Sequence, residues 1–110
     1  MSVTVREYLD PVGRSPYARW FNDLHAPAAA KVATALYRLE LGNFSNVKSV
    51  GSGVYECTID FGPGYRIYFG REGERLILLL GGSSKKDQQA AIAAAKKAWA
   101  AYKQAKSRTM

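Results

Sequence analysis

A chain of 110 residues, 47% apolar and 12% aromatic, has the length of one domain and too much apolar content to stay disordered. Its single cysteine, Cys57, rules out an internal disulfide, and no apolar run approaches the ~18 residues that cross a membrane. The net charge of +7 is uneven: residues 1–84 carry nine Lys/Arg against eight Asp/Glu, and residues 85–110 carry seven against one. Such a basic quarter suits a polyanion or an acidic partner, or is a solvated helix with a basic end.

In chain order, Val3 and Val5 alternate with Thr4 and Arg6 and predict a strand over 2–8. Asp10-Pro11-Val12-Gly13 reads as a turn. Ser15 before Pro16 is a helix start, a hydroxyl cap followed by a proline where no amide hydrogen is needed. Tyr17, Trp20, Phe21 and Leu24 give that helix one apolar face, and it stops near His25 because Pro27 disfavours helix in the residue before it. A second helix carries Val32, Leu36 and Leu39 on one stripe, and Gly42 ends it in a left-handed conformation, so the pair predicts a helical hairpin. Lys48 then falls in a loop.

Three strands follow. Over 53–61, Tyr55, Cys57, Ile59 and Phe61 share one face and Glu56, Thr58 and Asp60 the other. Gly62-Pro63-Gly64 reverses the chain into a strand over 65–71, with Tyr65, Ile67 and Phe69 on the core side and Arg66 and Tyr68 opposite. Residues 76–80, apolar on both faces, predict an interior strand. Gly81 to Ser84 leads into a last helix over 87–105, with Ile92, Ala95, Trp99 and Tyr102 as its stripe, Lys96, Lys97 and Lys103 mostly off it, and a frayed end beyond. The pieces make one α+β domain over 1–110: N-terminal strand, helical hairpin, three-strand antiparallel meander and C-terminal helix.

Conventional catalytic sets are poor. His25 is the only histidine and reads as a capping or surface residue; no Cys/His pair and no metal-ligand spacing occurs. The Gly51 and Gly53 pair and the Gly62 and Gly64 pair are loop glycines, since neither opens a helix after a strand. Glu56 and Asp60 serve either acid–base chemistry or as partners for Arg66 and Lys48. What remains is basic and aromatic: Lys48, Tyr65, Arg66, Tyr68, Lys85 and Lys86. Arg66, fixed on a strand, can hold two phosphate oxygens at once or make a cross-strand salt bridge.

The stretch from Gly42 to Phe69 resembles the toxins of RelE/ParE-type toxin–antitoxin modules, in the HigB-like "addiction module killer" branch. The shared residues are Gly42, Asn43, Lys48, Val50, Gly51, Gly53, Val54, Glu56, Ile59, Gly62, Pro63, Gly64, Tyr65, Arg66, Tyr68 and Phe69. The likeness runs over about 17–92. It implies a RelE-like fold, with helices on one face of a twisted, mainly antiparallel sheet. It also implies a ribosome-dependent mRNA endoribonuclease that works without metal or cofactor, the RNA 2′-OH attacking the adjacent phosphate. On that resemblance Arg66 faces the scissile phosphate and Lys85 or Lys86 supplies the second catalytic cation. Tyr68 stacks on a base or places a proton, and Lys48, Tyr65, Lys96 and Lys97 contact RNA. The implied partners are ribosome, mRNA and a small helix-turn-helix, Xre-like antitoxin through which the toxin reaches operator DNA. Thr58 stands where family members often carry a basic residue, and one extra residue precedes the lysines at 85 and 86. A gyrase-inhibiting ParE-type protein, or a non-catalytic toxin acting through antitoxin and DNA binding, is the alternative. The N-terminus has no charged stretch leading into an apolar one, so the protein is expected in the cytoplasm with no membrane partner.

Overall fold

The computed structural model describes residues 2–108. Its elements are β1 (Thr4–Glu7), α1 (Pro16–Asn22), α2 (Ala26–Glu40), β2 (Val47–Gly51), β3 (Val54–Ile59), β4 (Tyr65–Glu72), β5 (Leu76–Ser84), a 3-10 turn at Lys85–Asp87, and α3 (Gln88–Arg108). One five-stranded sheet has the order β1-β5-β4-β3-β2. Only β1 and β5 are parallel; the other neighbours are antiparallel. The radius of gyration of 13.3 Å matches the ~13 Å expected of a compact chain of this length. No helix is long and apolar enough to cross a membrane among the described residues.

The helix boundaries follow their capping residues. Ser15 Oγ accepts the Ala18 amide at 3.0 Å and starts α1. His25 does the same for α2, its Nδ1 accepting the Ala28 amide at 3.2 Å, so the lone histidine is a cap. Gly42, at φ +85°, closes α2 as expected. The helices do not lean mainly on each other: α1 lies over β5, and α2 reaches β3 and β1, so the sheet holds the pair together.

Four expectations need correction. First, a strand was missed: residues 47–51 form β2, so the antiparallel part is a four-strand meander and Lys48 sits on a strand, not in a loop. Second, β5 runs on through Gly81 to Ser84, with an extra residue opposite the Tyr68–Phe69 step. Third, a frayed end was expected over 107–110, but α3 continues through Ser107 to Arg108; Thr109 and Met110 lie outside the described residues. Fourth, both faces of the sheet are covered. Val32, Leu39, Cys57, Ile67, Phe69, Ile77 and Leu79 form a core under α1 and α2. Val54, Tyr68, Leu78, Leu80, Ala95 and Trp99 form a second core under α3. The face that carries Arg66 is therefore partly roofed by the C-terminal helix.

Candidate functional site

Strand register sets the site. On the α3 face, Lys48, Glu56, Tyr68 and Gly81 occupy one row across β2, β3, β4 and β5. The next row holds Thr58, Arg66 and Ser83. Side chains directly opposite on neighbouring strands come within about 5 Å at Cβ, so this face concentrates the polar residues that sequence reasoning singled out.

Glu56 is the hub. Its side chain has no exposed surface, although it is a carboxylate. The Gln88 carboxamide, from the first turn of α3, donates to its Oε2 at 2.8 Å. Arg66 Nε stands 3.6 Å from the same oxygen, and Lys48 Nζ 3.6 Å from Oε1. Both distances are ion pairs rather than hydrogen bonds, and both Glu56 Oε1 and Arg66 Nε lack a hydrogen-bond partner. A buried carboxylate is tolerated only where charges and donors surround it, and here two cations and one amide do so. This arrangement suits a structural partner for Arg66 and Lys48.

Arg66 is mostly buried, with a side chain 14% exposed, and it meets Glu56 through Nε. Its η-nitrogens engage no acceptor among the described residues. They reach the sheet end at Gly64: a Cβ placed there would lie 3.8 Å from Arg66 Nη1 and 3.7 Å from Lys85 Cβ. The Lys85 amide in turn donates to the Gly64 carbonyl at 3.0 Å. Lys85, exposed just beyond β5, is thus brought beside the guanidinium. Lys96 reaches from α3 to the β2–β3 turn, where its Nζ would come within 3.3 Å of a Cβ at Gly51.

Other residues are not brought in. Tyr68 is fully enclosed, its hydroxyl 3.0 Å from Ser83 Oγ. Burial first, and Glu56 to a lesser degree, pushes its phenol above the usual value against the lowering effect of Ser83 and Arg66. The ring has no open face to offer a base, and its hydroxyl is engaged with Ser83. Tyr65 lies on the opposite face against Trp20, with ring centroids 6.4 Å apart. Lys97 is exposed on α3 beside buried Ala95 and Trp99, on the side away from the sheet. Lys86 is exposed in the 3-10 turn without a contact to Arg66. Thr58 fills the place next to Arg66 with an uncharged side chain, whose hydroxyl donates to the Asn46 carbonyl at 3.4 Å.

Sequence reasoning missed Gln88. Nothing in the spacing marks it; only the seating of α3 across the sheet brings it to Glu56. Among the described residues no three of His, Cys, Asp and Glu gather closely enough to hold a metal ion.

No protein-family model matches the chain. Over 60 residues, 54% of this chain, it is 40% identical to an uncharacterized protein of Haemophilus influenzae. The match covers 61% of that relative's length.

Proposed function

We propose that this chain is the toxin of a RelE/ParE-type toxin–antitoxin module, in the HigB-like branch, and that it cuts mRNA on the ribosome in the cytoplasm. The observation that carries this reading is Arg66: a guanidinium fixed on a strand, steadied from behind by a fully buried carboxylate, with its η-nitrogens uncommitted beside Lys85. That arrangement suits a tetrahedral phosphate approaching the end of the sheet. The sequence likeness from Gly42 to Phe69 points the same way.

In the proposed reaction the 2′-oxygen forms a bond to phosphorus and gives up its proton. The bond from phosphorus to the 5′-oxygen breaks, and that oxygen gains a proton. The products are a 2′,3′-cyclic phosphate and a free 5′-hydroxyl. Arg66 holds the non-bridging oxygens as negative charge builds on them, and Lys85 and Lys48 add positive potential. Each well-aimed donor of this kind is worth about 10²–10³ in rate. Glu56 stays behind the guanidinium and orients it.

Thr58 favours a second reading. With an uncharged residue at position 58 opposite Arg66, the site has one donor fewer than family members often carry, and a non-catalytic toxin acting through antitoxin and DNA binding follows. A reconstituted translation system separates the two. The nuclease reading expects message cut only when ribosomes are present, with new 5′-hydroxyl ends. Intact message with normal protein synthesis refutes it and sends the search to antitoxin binding and gyrase supercoiling.

A further inference from the structure

At the open edge of the sheet, α2 and the end of β3 leave a cleft of about 250 Å³. Its origin lies in the strand lengths. β2 runs beside β3 only as far as Cys57, and the last links are the Thr58 amide and hydroxyl donating to the Asn46 carbonyl at 3.1 and 3.4 Å. No strand flanks Ile59 and Asp60 on that side, and Ala35 of α2 is too small to close the gap. An uncovered strand end leaves backbone N–H and C=O groups without strand partners.

The two walls differ in chemistry. Lys31 and Arg38 stand on α2 at positions i and i+7, which share one side of a helix. Neither makes an ion pair among the described residues. Lys31 Nζ is held over the Phe61 ring, 5.5 Å from its centroid. Across the cleft are the carboxamides of Asn43 and Asn46 and the carboxylate of Asp60. Asn43 Oδ1 accepts the Ser45 amide at 3.1 Å, which leaves its NH₂ to donate.

We propose that this cleft binds a single nucleoside phosphate. The phosphate sits against Arg38 and Lys31, where a planar guanidinium and an ammonium satisfy it. Asp60 repels the phosphate and so fixes the orientation, its carboxylate accepting a ribose hydroxyl. The two carboxamides pair with the donor–acceptor edge of a base, as such groups do with unstacked bases. The volume lies just under the ~300 Å³ at which small-molecule sites begin, so the cleft takes at most one nucleotide and leaves part of it exposed. The ligand is either a free nucleotide or one unit of an RNA chain. Neither case depends on strand cleavage, because neither Arg66 nor Lys85 lines the cleft.

The test is an amide NMR titration of the full chain with adenosine and guanosine monophosphates, inorganic phosphate and a short oligoribonucleotide. Saturable shifts at Thr34, Asn46 and Asp60 with a mononucleotide are expected. Arg38→Ala should weaken binding about tenfold, as loss of a charged hydrogen bond does, whereas Lys103→Ala, which removes the same charge from α3, should leave it unchanged. If the oligoribonucleotide moves the same amides as tightly as the mononucleotide, the occupant is an RNA unit; if it does not bind there, the occupant is a free nucleotide. The proposal is overturned if no saturable shift appears at millimolar nucleotide, if inorganic phosphate binds equally tightly, or if Arg38→Ala and Lys103→Ala behave alike. No ribosome or cleavage step enters, so failure here leaves the nuclease reading standing, and the reverse also holds.

Discussion

Glu56 is the most consequential single side chain. Removing it leaves Arg66, mostly buried, without its counter-charge and the Gln88 amide without an acceptor. Breaking a buried pair in this way costs about 3 kcal/mol, so Glu56→Ala should lower the urea midpoint strongly. Lys48→Ala should cost under ~1 kcal/mol, because that partner is 66% exposed. In a double-mutant cycle, Glu56→Ala and Arg66→Ala should couple by about 1–3 kcal/mol; simple additivity would show that the ion pair does not hold the guanidinium. Cys57 gives a pH signature. Burial, and Glu56 next, pushes its thiol from 9.0 to about 11. As pH rises through that window the unfolded thiol loses its proton before the folded one. Stability therefore falls with rising pH, by up to about 1.4 kcal/mol per unit, and Cys57→Ala should reduce the slope there; Tyr17, raised from 10.0 to about 12, adds a fall of the same sign that overlaps the upper half of this window. Arg66 was legible as a special residue because strand alternation and the Gly-Pro-Gly turn fix where it stands. The sequence left Glu56 open between acid–base chemistry and a structural role; its ion pairs to Lys48 and Arg66 and its hydrogen bond from Gln88 supply the structural one.

Two tryptophans seat the helices on bare backbone. Trp20 of α1 lies on Gly82, where an added Cβ would come 2.2 Å from its ring, and Trp99 of α3 lies on Gly70, at 2.4 Å. Gly82→Ala and Gly70→Ala should each push an indole off the sheet and cost about 1–3 kcal/mol, as overpacking does. Gly81→Ala, which meets nothing within 4 Å, is the control. Thermal unfolding with tryptophan emission checks all three, and equal melting temperatures would contradict this view of helix seating. The caps at Ser15 and the stop at Gly42 could be read from sequence because they are local chemistry. The strand β2 could not be read as easily: it is a short edge strand, with a register shift between Ser49 and Gly51 and a polar exposed pattern. Its signal was the turn, since Ser52 and Gly53 both have positive φ, at 58° and 80°, as a two-residue hairpin requires. The covering of the second face was hidden for another reason. Alternation in β3 and β4 separates two faces but does not say that α3 crosses to the one bearing Glu56 and Tyr68.

Across the molecule the cations are sorted by the sheet. Lys48, Arg66, Lys85 and Lys96 collect around the Glu56 face, whereas Lys97 points outward from α3. If RNA lies along that face, its affinity falls with salt, and each phosphate contact contributes about 0.7 to the slope for a single strand. Lys96→Ala should reduce the slope by about that amount in a salt titration of RNA binding, and Lys97→Ala should not; equal losses would mean that the basic helix acts only as a diffuse charge. The order of elements apart from β2 and the concentration of charge in the last quarter were both visible in the sequence, but which lysines share a surface depended on the docking of α3. The most direct measurement is a map of message 5′ ends in a purified translation system, with the wild-type chain and with Arg66→Ala. Discrete ribosome-dependent cuts that disappear in the variant, with its fold intact by circular dichroism, are the predicted result. Cuts that persist in Arg66→Ala at the wild-type rate would contradict the assignment of Arg66 to the phosphate.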